Sequence, residues 1–242
     1  MGAIIMMKNV FQQYKKNISK FIIVFVLIIL VNIIPIERIL PDSLSLSIIL
    51  GLVANYRYIV YIVMISILLI RSFISTYGLL IAKKIVKEQE IKQKEIFSEV
   101  FRYYPKVIVF GLILGAILVE VSFIGIKLMI TNRISRILSF ILFITVLILS
   151  IILSPTYSYI IYHNEKIWDS VKSAFQIGKK YFFRLFGVFL ILAVIPQLVN
   201  MAPYGIVSFI LLVIFSCLSK GYLYLYITNI IRMEGEAEEE IL

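Results

Sequence analysis

Long apolar runs are the feature that most constrains how this chain can fold. Two of them, 21–34 and 138–153, contain no charged residue. A helix needs about 20 apolar residues to cross the roughly 30 Å hydrocarbon core of a bilayer. Of the 242 residues, 61% are hydrophobic and 16% are charged, whereas a soluble domain has about 25% charged residues. The sequence therefore predicts an all-α, polytopic membrane protein, with 1–242 forming one integral membrane domain.

We predict six transmembrane helices in three hairpins, with an amphipathic cytoplasmic helix before each odd-numbered span. The predicted spans are 21–36, 58–82, 107–130, 138–162, 185–201 and 205–231. Segment 43–82 allows two arrangements: an outer interfacial helix at 44–55 followed by the span 58–82, or a span shifted to 44–70. Three tyrosines within 56–61 favour the first arrangement, because tyrosine collects at the membrane–water interface.

The distribution of Lys and Arg predicts the orientation. Seventeen lie in the N-terminal arm, in the loops 83–106 and 163–184 and after the last span, against five on the other side. Because positively charged loops stay in the cytoplasm, we expect a cell-membrane protein with both termini cytoplasmic. The formal net charge of +10 comes from basic residues that flank apolar spans. This pattern predicts anionic membrane lipids as partners and argues against nucleic acid.

The chain also contains an apparent threefold repeat, with copies starting near 11, 97 and 175. Residues 11–31 and 175–195 align without gaps, and Phe, Gln and a Lys-Lys pair coincide. Each copy ends its polar part with two basic residues four positions apart, which share a helix face. We predict that these pairs contact lipid headgroups, and that Pro105 separates the interfacial and spanning helices of the middle copy. The pairs are Lys16/Lys20, Arg102/Lys106 and Lys180/Arg184.

The segment before the fifth span is "SPTYSYIIYHNEKIWDSVKSAFQIGKKYFFRLFGVFLIL". An aromatic-rich turn is followed by Glu165, by a short helix with Ser173 and Lys179/Lys180, and by the next span. In this layout the chain resembles six-helix membrane protein families related to the membrane domain of glycerophosphoryl diester phosphodiesterases. The resemblance implies architecture only. In two-part members the chemistry belongs to a separate soluble domain, so no phosphodiesterase activity or catalytic residue is carried over.

Three charged residues fall inside predicted spans. At 1.5 Å per residue, Arg71 and Lys220 lie about 16 Å from the inner helix ends and Glu120 about 20 Å. A lone charge at this depth costs about 2.5–3.5 kcal/mol, so we predict an Arg71–Glu120 pair, with Lys220 leaving a net positive site for an anionic group. The alternatives are that the long side chains snorkel to the interface or that a buried pair only fixes helix registry.

Other signals are structural. Gly111 and Gly115 predict close helix packing, and the glutamate-rich segment 233–242 predicts a solvated acidic cytoplasmic tail. One cysteine and one histidine argue against a disulfide framework and against a zinc site built from Cys and His. We therefore expect no catalytic residues, metal or cofactor.

Three function classes remain. We favour a non-enzymatic binding or transport-related protein that uses the intramembrane charges. The alternative is a structural, accessory or self-protection subunit of a membrane complex, with a membrane-protein partner or a second copy of itself. A lipid-modifying enzyme ranks last, because such enzymes usually need His, paired carboxylates or a metal set.

Overall fold

The computed structural model describes residues 2–33, 57–131, 133–200 and 205–239. Within these ranges the chain is helical and contains no strand. A 3-10 turn, Ile18–Phe21, joins the first two helices. The helices are α1 (Gly2–Asn17), α2 (Ile22–Ile33), α3 (Arg57–Val86), α4 (Gln93–Thr131), α5 (Arg133–Leu153), α6 (Thr156–His163), α7 (Ile167–Lys180), α8 (Phe182–Asn200) and α9 (Gly205–Glu239).

Five segments of the described residues are long and apolar enough to cross a membrane. They are Ile65–Val86, Gln93–Gly125, Ile134–His163, Phe182–Val199 and Ile210–Glu236. The all-α, multi-pass prediction is therefore confirmed at this level. The predicted span 21–36 begins in α2 and continues past the described residues, and segment 44–55 lies outside them. The count of six spans and the choice between the two arrangements of 43–82 stay predictions.

The outer surface of the bundle is apolar. On α5, Ile134 is 72% exposed and Phe140 is 63% exposed, and most of the other large side chains of this helix also face outward. A contiguous apolar surface of this length would be unfavourable in water. It suits a helix whose outer face contacts lipid, because apolar side chains are favoured in a hydrocarbon environment.

The helices α3, α4 and α9 form the centre of the bundle. Tyr77, Leu80 and Tyr226 are fully buried there. The ring of Tyr224 packs directly on Gly78, where a Cβ atom would overlap it, so this glycine allows α3 and α9 to approach closely. A second glycine allows the short helix α7 to pack closely on α5. The backbone of Ile152 occupies the position that a Cβ on Gly178 would take.

The structure differs from the sequence prediction where α3 is joined to α4. The link between α3 and α4 is only the six residues 87–92, and α4 runs unbroken through Pro105. The predicted break at Pro105 is therefore wrong. A proline removes one helical hydrogen bond, but neighbouring helices can sustain the helix around it. Here Tyr103 and Val107 are both buried against the core.

In the other two copies of the predicted repeat, the helix is interrupted near the predicted start of the span. The 3-10 turn Ile18–Phe21 separates α1 from α2, and Tyr181 separates α7 from α8. The predicted fourth span, 138–162, is itself divided, because α5 ends at Leu153 and α6 starts at Thr156 after Pro155. Pro155 has no N–H to donate to the carbonyl oxygen of Ile151, and this oxygen instead accepts from the backbone N–H and the hydroxyl of Ser154.

Candidate functional site

The helices α3 and α9 run parallel, and two hydrogen bonds define their register. The Tyr224 hydroxyl donates to Ser75 Oγ at 3.1 Å, and Arg232 Nη1 donates to the carbonyl oxygen of Val86 at 3.0 Å. One helical turn outward from the Tyr224–Ser75 pair lie Lys220 and Arg71. The two cations therefore stand at the same level on neighbouring helices.

Arg71 and Lys220 are close enough for their charges to interact. Arg71 is exposed on the surface of the bundle, whereas Lys220 is half-buried. Within a hydrocarbon core each charge would carry a cost of about 2.5–3.5 kcal/mol, and two like charges add mutual repulsion. An anion between the two side chains would relieve both costs. The pair is thus a candidate anion site.

Glu120 lies at a different level. An ideal Cβ on Gly111 would sit 3.3 Å from the Leu68 side chain, and one on Gly115 would sit 3.0 Å from it. The antiparallel helices α3 and α4 therefore bring Leu68 level with the middle of this glycine pair. On that register Glu120 lies ten residues, about 15 Å, outward of Arg71, so the structure does not bring these two residues together.

The two glycines make the close contact between α3 and α4. Besides Leu68, Gly111 faces Ser72 Oγ, 3.5 Å from its ideal Cβ position, and the Tyr157 hydroxyl at 3.3 Å. Side chains of two helices, α3 and α6, therefore converge on Gly111 of α4. A residue with a Cβ at either position would push against Leu68.

A cavity of about 240 Å³ is lined by Ser75 and Tyr224, the residues one turn away from the two cations on α3 and α9. Leu79, Leu114 and Phe189 form part of its wall. Several of its hydroxyl groups bind protein partners: Tyr224 donates to Ser75, and Ser154 Oγ donates to the carbonyl oxygen of Ile151 at 2.8 Å. The open surface of the cavity is therefore mainly hydrocarbon, which suits an apolar occupant.

The cations predicted to contact headgroups fall into two groups. Lys16, Lys20 and Arg102 are exposed, and the Arg102 guanidinium lies 5.8 Å from the centre of the Tyr103 ring. Lys106 instead binds within the protein. Its Nζ donates to the carbonyl oxygens of Asn164 at 3.2 Å and Glu165 at 3.0 Å.

Both residues of the third predicted pair contact other side chains of the protein. Lys180 forms an ion pair with Glu234 at 2.7 Å, and the Arg184 guanidinium stacks 5.2 Å from the centre of the Tyr181 ring. The Tyr181 hydroxyl donates to Glu234 as well, and burial together with this hydrogen bond raises the pKa of Tyr181. Within the predicted acidic tail, α9 continues to Glu239, and Glu234 is held by Lys180 and Tyr181.

Sequence reasoning missed three cations near the C-terminal ends of α3 and α9. Lys83 Nζ donates to the carbonyl oxygen of Ile161 at 2.7 Å, and Arg232 binds the last carbonyl of α3. Lys84 is buried and pairs with Glu99 at 3.0 Å and Glu95 at 3.5 Å. A signal was available, because basic side chains commonly bind the unpaired carbonyls at helix C-termini.

No family model matches the chain, and comparison with curated proteins and with solved structures gave no match either. The resemblance to the membrane domain of glycerophosphoryl diester phosphodiesterases stays a prediction.

Proposed function

We propose that this protein is a non-enzymatic, binding or transport-related membrane protein whose ligand is an anionic amphiphile. The observation that carries the proposal is the shared level of Arg71 and Lys220, which follows from the Tyr224–Ser75 hydrogen bond one turn inward. Two cations held together in the apolar part of a bundle favour a phosphate or a carboxylate. Glu120 contributes no neutralising charge at this level in the proposal, because it lies about 15 Å away along the helix axes.

The neighbouring cavity supports an apolar body for the ligand. It is lined by Ser75 and Tyr224, which follow Arg71 and Lys220 on the same helix faces, and its open surface is mainly hydrocarbon. A ligand with only an ionic head would leave this space unfilled. A single hydrocarbon chain attached to an anionic head uses both features, whether the ligand is a membrane lipid fragment or a free amphiphile.

The proposal is tested by binding of radiolabelled dodecyl phosphate to the full chain after delipidation in neutral detergent. We expect dodecanoate to compete with it, whereas dodecanol lacks the charge and inorganic phosphate lacks the chain, so both should compete poorly. Hydrogen bonds to a charged group contribute about 1.5 kcal/mol or more. Arg71→Gln and Lys220→Gln should therefore each weaken binding about tenfold.

The matched controls are Arg136→Gln and Lys94→Gln, which remove the same charges from exposed positions of the chain. These variants should bind dodecyl phosphate as the wild type does. Equal binding by all four variants, or equal competition by dodecanol, would refute the proposal.

A structural or accessory role is the alternative, and one observation favours it. The inner helix ends are joined to one another by Lys83, Lys84 and Arg232. Such cross-links favour a rigid helix bundle over one whose helices separate to let a ligand pass. In this case purified protein would run as a complex with a partner or a second copy, and charge removal at Arg71 or Lys220 would leave that complex intact.

A further inference from the structure

The exposed side of α7 carries an ordered set of side chains. Its packed side consists of Ser170, Ala174, Ile177 and Gly178, which are all buried. Opposite them, Trp168 is 73% exposed and Phe175 is 37% exposed. Lys179 Nζ lies 5.5 Å from the centre of the Phe175 ring, so the aromatic and basic side chains share one surface.

Helical geometry gives the order of these residues around α7. At about 100° per residue, Phe175 lies about 20° to one side of Trp168, and Lys179 and Lys172 lie about 20° and 40° to the other side. Beyond these two lysines the surface is polar and carries Asp169, together with Lys180, whose charge is paired with Glu234. Starting from the packed side, the order is Val171, Phe175, Trp168, Lys179, Lys172, Gln176, Asp169, Lys180 and Ser173.

This order matches the layers at the edge of a bilayer. Aromatic rings favour the boundary between hydrocarbon and headgroups, lysines favour the level of the phosphates, and the carboxylate of Asp169 favours water. The position of α7 in the fold agrees with this. Only Tyr181 separates α7 from the membrane-capable helix α8, and Gly178 packs against Ile152 near the inner end of α5.

We propose that this face of α7 is a binding surface for anionic lipid headgroups at the inner leaflet, with Trp168 and Phe175 entering the acyl boundary and Lys172 and Lys179 at the phosphates. These lysines differ from the pair that the sequence pointed to, since Lys180 is held by Glu234. The surface is independent of the proposed Arg71–Lys220 site, because it lies on a different helix and at the membrane edge.

The chain itself provides the probe, since Trp168 is its one tryptophan. The full chain is placed in nanodiscs of phosphatidylcholine, with or without phosphatidylglycerol, and its emission is followed. We expect phosphatidylcholine brominated at carbons 6 and 7 to quench most of the Trp168 emission and lipid brominated at carbons 11 and 12 to quench less. Aqueous iodide should quench weakly. Strong quenching by iodide, with none by either brominated lipid, would overturn the proposal.

The role of the lysines is tested separately. Adding phosphatidylglycerol should increase quenching by the shallow brominated lipid in the wild type, and Lys172→Gln/Lys179→Gln should lose this increase. The matched control is Lys92→Gln/Lys94→Gln, which removes two exposed lysines from the start of α4 and its preceding link and should keep the increase. A double variant of α7 that behaves like this control would show aromatic anchoring without headgroup recognition, and the proposal would fail.

Discussion

Replacing Gly178 by alanine should separate α7 from the bundle. An ideal Cβ at this position would lie 2.7 Å from the carbonyl carbon of Ile152 and 2.8 Å from its Cα, with the carbonyl oxygen closer still. Carbon atoms in contact prefer about 3.5–4.0 Å, so α7 must move away by roughly 1 Å. Ser170, Ala174 and Ile177 on the same face would then lose their contacts. Overpacking of this kind costs about 1–3 kcal/mol, and the upper part of that range applies here because backbone atoms cannot rotate out of the way.

The matched control is Gly187→Ala in α8, where no described atom lies within 4 Å of the added Cβ. Alanine is favoured over glycine in a helix by about 1 kcal/mol, so this variant should be as stable as the wild type or more stable. The assay is equilibrium unfolding in mixed micelles with increasing dodecyl sulfate, followed by far-ultraviolet circular dichroism. The reasoning is refuted if Gly178→Ala unfolds at the same detergent fraction as Gly187→Ala.

Further predictions concern the inner helix ends and the α3–α4 contact. Lys84→Met should lower the free energy of unfolding by about 1–2 kcal/mol in the same assay, because it leaves two half-exposed carboxylates of α4 without their cation. An unchanged free energy of unfolding would contradict a stabilising role for these ion pairs. Gly115→Leu should cost about 1–3 kcal/mol, and Leu68→Ala should restore part of it; absence of rescue would contradict the contact. Gln89→Cys, made in a Cys217→Ser background, should react with an impermeant maleimide only from the cytoplasmic side, and reaction from outside would reverse the predicted orientation.

The apolar runs made most of the fold predictable. Burial of a backbone in hydrocarbon requires helices, so a run such as 138–153 leaves little choice of secondary structure. Connections were harder to predict. Nothing local to Pro105 shows that buried side chains on both sides will keep α4 continuous, and the charged segment 83–106 gives no sign that six of its residues make the whole link.

The same short link explains why the candidate site was only partly predictable. With residue 107 as the inner end of the predicted third span, Glu120 is expected beside Arg71. The link 87–92 instead fixes the register of α3 against α4 and moves Glu120 outward. The levels of Arg71 and Lys220 were easier to predict because both helices run in the same direction and end near the same surface. The docking of Glu234 on Lys180 joins residues 54 positions apart, which no local pattern encodes.

Lys220→Met distinguishes a ligand site from cations that merely snorkel. If Arg71 and Lys220 repel each other in the empty protein, removing one charge should stabilise the delipidated protein, by about 1 kcal/mol once the cost of a mid-membrane lysine is discounted for partial exposure of the side chain. Dodecyl phosphate should stabilise the wild type more than the variant, so the order of stability should reverse as its concentration rises. A lysine that reaches the interface alone would give no such reversal, because its charge would already be solvated and would not respond to the anion. Parallel stability curves for the two proteins at every concentration of dodecyl phosphate would therefore exclude the anion site.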